Sequence, residues 1–159
     1  MGFFDDFRKG RERAAKARPV SAEPEEQEFR AVYFSREPGM DCVDVVGESR
    51  YQSAISAITG RKGDDEVEWE GVAALLAEPD NPADENAARV IAGGRQVGYL
   101  SRRDAIRYAS AIQAAARQGK IIAGDARIYA FPPERAQTPN AGVSFYLPPP
   151  DEIVADLNS

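Results

Sequence analysis

Histidine is absent from the 159 residues, and cysteine occurs once, at Cys42. Without an imidazole the usual general base is missing, a Cys/His zinc site cannot be assembled, and a single thiol cannot close an intramolecular disulfide. A Cys42 nucleophile would lack its histidine base, so Cys42 is expected as a small residue in or beside a strand. No apolar run approaches the ~20 residues needed to cross a bilayer. Met1 to Val20 alternates phenylalanine, acid and base rather than forming an apolar signal core. The expectation is a cytoplasmic protein with no membrane partner and no cofactor.

What is present suits one compact domain: 43% of the residues are hydrophobic and 29% charged, enough for a single core at this length. The net charge of −6 is unevenly spread. Residues 1–20 carry +3, residues 21–94 carry −11, residues 95–135 carry +5 and the remainder −3. A chain that coated long nucleic acid non-specifically would be basic overall. This balance leaves room only for a local site where the basic segment meets particular loops.

Along the chain, residues 1–28 read as a short amphipathic segment (Phe3, Phe4, Phe7) followed by a disordered acidic linker. The folded part is expected over 29–148, with 149–159 a loose tail. Phe29 to Phe34 and Cys42 to Val46 have strand composition. Ser49 is placed to cap a short helix with apolar residues Tyr51, Ala54, Ile55 and Ile58, stopped by Gly60. Val67 to Leu75 alternates as a half-buried strand does. Ala87 to Ile91 and Gln96 to Leu100 flank Gly93-Gly94 as a hairpin. Ser101 caps a second helix with Asp104 three residues on, as in an acidic capping box, and Ala105, Ile106, Ala109, Ile112 and Ala116 form its predicted buried stripe up to Gly119. Ile121 to Phe131 and Val143 to Leu147 are further strands around a loop from Pro132 to Gly142. Six or seven short strands with two helices, without β-α-β alternation, predict a mainly β protein of the α+β class. Its shape is a small barrel or curled sheet with helices packed at its openings.

Three segments can carry chemistry. Glu78-Pro-Asp-Asn-Pro-Ala-Asp-Glu-Asn-Ala87 is a loop stiffened by two prolines, in which Asn81 and Asp84 either staple the crossover or aim polar atoms outward. Asp80 and Asp84 together could do acid and base work or hold Mg²⁺. At the start of the second helix, Arg102 and Arg103 sit against the positive end of the macrodipole, an arrangement that a bound phosphate or the neighbouring Asp104 would relieve. Arg50 and Tyr51, after Val45-Val46-Gly47, offer a phosphate donor and a stacking ring, the minimal kit for single-stranded nucleic acid. Tyr51 equally begins the apolar stripe of its helix.

Taken in order, Val-Val-Gly with Arg-Tyr, Glu-Pro-Asp-Asn-Pro-x-Asp-x-Asn-Ala with Arg-Val, and Val-Gly-Tyr-Leu-Ser-Arg-Arg-x-Ala resemble the HIRAN domain family over residues 43–116 and plausibly to about 148. The resemblance implies an OB-like or SH3-like β-barrel, found both at the N-terminus of fork-remodelling, helicase-like ATPases of DNA repair and as small free-standing bacterial proteins. It implies a non-enzymatic module that captures the three-prime hydroxyl end of single-stranded DNA or a damaged or stalled DNA structure. By position, Arg50 and Arg102 would contact phosphates, Tyr51 would stack on the terminal base, and Asn81 and Asp84 would address the terminal nucleotide. Tyr99, where the motif often has histidine, would reach a phosphate. Gln52 and Ala83 stand where the end binders carry aromatics. Each lost ring removes ~1–3 kcal/mol of stacking, so end capture is expected to be weak or altered. The alternative is a protein-interaction module on the same fold that has lost DNA-end binding and docks on a repair or helicase protein. A metal-dependent phosphate-ester hydrolase using Asp80 and Asp84 is the third reading.

Overall fold

The computed structural model describes residues 20–21, 28–130 and 141–159. The strands are β1 (Val20–Ser21), β2 (Glu28–Phe34), β3 (Asp41–Val46), β4 (Val67–Ala77), β5 (Ala88–Ala92), β6 (Arg95–Leu100), β7 (Lys120–Ala130) and β8 (Gly142–Leu147). A 3₁₀ turn (Glu48–Tyr51) leads into α1 (Gln52–Thr59), and α2 (Arg102–Arg117) and α3 (Pro150–Leu157) complete the described helices.

Neighbouring strands run β7-β4-β5-β6-β3-β8, and β8 pairs back onto β7. Every pairing around this ring is antiparallel, so six strands close into a barrel and leave no free edge within it. β2 lies outside the ring, parallel to the first half of β7, and carries β1 on its other side. Period-2 alternation gives the barrel its interior: Val43 and Val45, Ala73 and Leu75, Val90, Ile122 and Ile128, Phe145 and Leu147 are buried in one cluster. Ile55 of α1, Tyr108 of α2 and Ile153 of α3 join that cluster, so the helices cover the barrel as expected for its openings. Outward residues Val72, Ala74, Leu76, Ile91, Ile121 and Ala123 form a second apolar cluster on the outer wall.

Several local expectations are corrected. The first helical segment is not capped by Ser49. Gly47 (φ 81°) ends β3 in the left-handed region, which suits glycine, and the chain enters the 3₁₀ turn at Glu48 with no side-chain cap. The Ser101 side chain does cap α2, accepting from the Asp104 N–H. The Asp104 carboxylate, however, reaches across to the backbone N–H of Asp44 at 2.8 Å rather than back into its own helix. The buried face of α2 is rotated from the predicted stripe. Tyr108, Ala111 and Ala115 are inside, whereas Ile106 is 59% exposed and Ala116 lies on the surface. Tyr108 wins that face because its ring fills the core while its hydroxyl donates to the Pro148 carbonyl at 2.9 Å.

The expected loose tail is α3. Ile153 is fully buried, Leu157 is nearly so, and the Leu157 carbonyl accepts from the Gln118 amide at the end of α2. Val20 and Ser21, inside the segment read as a linker, pair with Phe29 and Glu28. The Phe3, Phe4 and Phe7 stripe, and residues 132–140 of the predicted loop, lie outside the described residues.

Candidate nucleic-acid interface

The site is built on the outer face of β4, β5, β6 and β3. Register places Leu76, Arg89, Tyr99 and Val46 side by side in one row across the four strands. Tyr99 faces outward because of an irregularity in β6. Val90 pairs with Gly98 and Ile91 with Gln96, so Val97 is an extra residue. Strict alternation from buried Val97 would turn Tyr99 into the barrel, and the bulge resets the face. The approach of β6 to β3 is close here. A Cβ on Gly98 would lie 2.6 Å from the Val46 carbonyl oxygen.

Glu78, the first residue after β4, is the hub of the site. Its carboxylate accepts 2.7 Å from the Asn81 side-chain amide and 3.2 Å from the Tyr99 hydroxyl, and it lies 3.9 Å from Nε of Arg89. The Tyr51 phenol lies beside that of Tyr99. Burial, followed by the neighbouring Tyr99, raises the Tyr51 phenol above its ordinary value, with Arg89 opposing. Tyr99, Glu78 and Asn81 are therefore one continuous network, with Tyr51 beside it.

The 78–87 loop is held as its composition predicts. Asn81 Oδ1 accepts from the N–H groups of Ala83 (2.9 Å) and Asp84 (3.2 Å), and Asp84 Oδ1 accepts from Asn86 N–H at 2.9 Å. Asp84 Oδ2 has no hydrogen-bond partner among the described residues. Asn81 staples the loop through both ends of its side chain, and Asp84 through one oxygen.

The Arg50-Tyr51 turn is itself anchored. Gln52 donates to the Glu48 carbonyl at 2.8 Å and accepts from the Ala141 N–H at 3.1 Å. Burial raises the Glu48 carboxyl above its ordinary value, with the Val143 backbone opposing. Gln52 thus fixes the Arg50-Tyr51 turn to the chain just before β8.

Of the six predicted site residues, the structure joins Asn81 and Tyr99 through Glu78, sets Tyr51 beside Tyr99 and places Asp84 on the same loop as Asn81. Arg50 and Arg102 flank this group as exposed side chains with no ion pair among the described residues. Arg103 and Arg107 are neutralised instead by Asp44 and Asp41 of β3, and Arg127 by Glu68. Glu78, Arg89 and Val46 were missed, although Glu78 and Arg89 border the loop motif. The detectable signal was strand register, which brings Arg89 opposite Tyr99. Among the described residues no group of three or more acidic or cysteine side chains is arranged to hold a metal.

The chain belongs to the HIRAN domain family, which it matches over residues 31–147. HIRAN domains are DNA-binding modules, and the barrel is of the OB-like kind. Among solved structures, the HIRAN domain of human HLTF is similar at 19% sequence identity, with a TM-score of 0.35, over 76% of this chain and 90% of that one. Comparison with curated protein sequences gives no match. No described helix is long and apolar enough to cross a membrane.

Proposed function

We propose that this protein is a non-enzymatic module that binds the three-prime hydroxyl end of single-stranded DNA, as exposed at damaged or stalled DNA structures. The observation that carries this reading is the convergence of Tyr99 and Asn81 on Glu78, with Tyr51 beside Tyr99 and with Asp84 on the same loop, its Oδ2 open. Tyr51 supplies the face for a terminal base, Asp84 an acceptor for a terminal hydroxyl, and unpaired Arg50 and Arg102 the donors for the preceding phosphates. Sequence readout is not part of this reading, since the groups offered suit backbone, sugar and a ring face.

The test is fluorescence anisotropy with short single-stranded DNA ending in a three-prime hydroxyl or a three-prime phosphate, at low and moderate salt. Tighter binding to the hydroxyl end is expected, and equal affinity for both ends would overturn the reading. A second reading, a docking module for a repair or helicase protein, draws on Ile106, 59% exposed one turn beyond Arg102, and on Val46, 43% exposed in the site's own row. Absence of DNA binding at low salt, with stoichiometric capture of one defined partner that Ile106→Asp abolishes, would establish it.

A further inference from the structure

We infer that Glu78 is the specificity-determining residue of this site, an acidic gate that admits a strand ending in a neutral hydroxyl and rejects one ending in phosphate. The inference rests on the DNA-end reading and adds a residue and a physical cause to it. Glu78 orders the network, accepting from Asn81 and Tyr99, and its side chain remains 34% exposed, so it faces whatever enters. Its neutralisation is partial. The Arg89 guanidinium stands 3.9 Å away and directs its Nε to Gln96 Oε1 at 2.9 Å instead.

Asp84 adds a second carboxylate on the same loop, while Arg50, next to Tyr51 in the chain, and Arg102, two residues after β6, are exposed cations. A terminal hydroxyl donates to such carboxylates, and the phosphodiesters behind it meet the cations. A terminal phosphate brings up to two negative charges and no strong donor to the same place, and like charges brought together at a partly buried site are disfavoured. Recognition by hydrogen bonds alone would reject phosphate by size. The charge placement rejects it electrostatically, and that difference is measurable.

The experiment compares wild type, Glu78→Gln and Arg89→Gln for binding to hydroxyl-ended and phosphate-ended single strands at low salt. Glu78→Gln retains an acceptor for Asn81 and Tyr99 and removes only the charge. It is expected to shift the ratio of phosphate-end to hydroxyl-end affinity about tenfold towards the phosphate end. Arg89→Gln leaves Glu78 less neutralised and is expected to widen the wild-type preference for hydroxyl. A wild type that discriminates, with its ratio unchanged in both variants, would overturn the gate and leave the end-binding reading intact. A wild type that does not discriminate would overturn the reading itself, and the gate with it.

Discussion

The buried Asp104 carboxylate at the head of α2 accepts a 2.8 Å hydrogen bond from the backbone N–H of Asp44 in β3, and the Asp44 carbonyl accepts 2.8 Å from Ser101 N–H. Both backbone polar groups of one barrel residue are thereby held by the start of the helix. The clasp fixes where Arg102 leaves the domain relative to β3, β6 and the Arg50-Tyr51 turn. Asp104 is 2% exposed, so Asp104→Ala would leave the Asp44 N–H inside without a partner. The expected loss is about 1–3 kcal/mol of stability, with a smaller loss in Asp104→Asn, which keeps an acceptor. Urea denaturation checks this, and a midpoint unchanged in Asp104→Ala would show that the clasp contributes nothing.

Adjacent arginines should then behave differently. Arg103 is engaged by Asp44 at 3.5 Å and lies 3.7 Å from Asp104, whereas Arg102 has no partner among the described residues. A phosphate contact releases counterions, and each one lost lowers the slope of log affinity against log salt by about 1. Arg102→Ala is expected to lower affinity and reduce that slope by about 1, and Arg103→Ala to leave the slope unchanged. Equal effects of the two would mean that the ion pair with Asp44 does not hold Arg103 away from DNA.

Much of this arrangement was legible in the sequence because its signals are local. Ser101 could be read as a cap, Gly93-Gly94 as a hairpin, and Asn81 and Asp84 as loop staples from neighbours within a few residues. What was not legible depends on distant partners. Ile106 fits a helical stripe, but the core takes Tyr108, whose hydroxyl reaches Pro148 forty residues away. Asp104 has the spacing of a capping box, yet its partner is on β3. The Pro-Pro-Pro run at 148–150 suggests an end of structure, whereas Pro150 occupies the first turn of α3, where its missing N–H is harmless. Glu78 was quoted with the loop, and its role as hub needed the register that sets Arg89 opposite Tyr99.

Glu48 gives the fold a pH dependence of defined sign. Burial raises its carboxyl above 4.5, so the folded state holds the proton more tightly than the unfolded chain does. In the window just above 4.5 the native state binds more protons, and this residue's contribution to stability falls as pH rises. Once pH exceeds the folded value the full cost of the buried charge is present. Glu48→Gln keeps the size of the side chain and removes that charge. Relative to wild type, it is expected to become progressively more favourable as pH rises from 4 to 7, followed by thermal unfolding at each pH. A difference between the two proteins that stays constant over that range would refute the assignment, as would one that shrinks.

The C-terminal helix should be part of the domain's stability rather than an accessory. Ile153 is fully buried in the same cluster as Phe145 and Tyr108, and Tyr108 ties the chain to the barrel just before α3 by donating to Pro148. Truncating a fully buried isoleucine to alanine removes apolar contact and leaves a cavity, at a cost of about 2–5 kcal/mol. Tyr108→Phe removes one buried hydrogen bond and leaves the Pro148 carbonyl without its donor, for about 1–3 kcal/mol. Burial also pushes the Tyr108 phenol up to about 12, so it should ionise only in strongly alkaline solution, and the alkaline absorbance step attributable to it should vanish in Tyr108→Phe. Both variants are expected to unfold at lower urea with an unchanged slope, because the same surface is exposed in one cooperative transition. An Ile153→Ala protein with wild-type stability would mean that α3 does not pack on the barrel in solution, and would return residues 149–159 to the role of a tail.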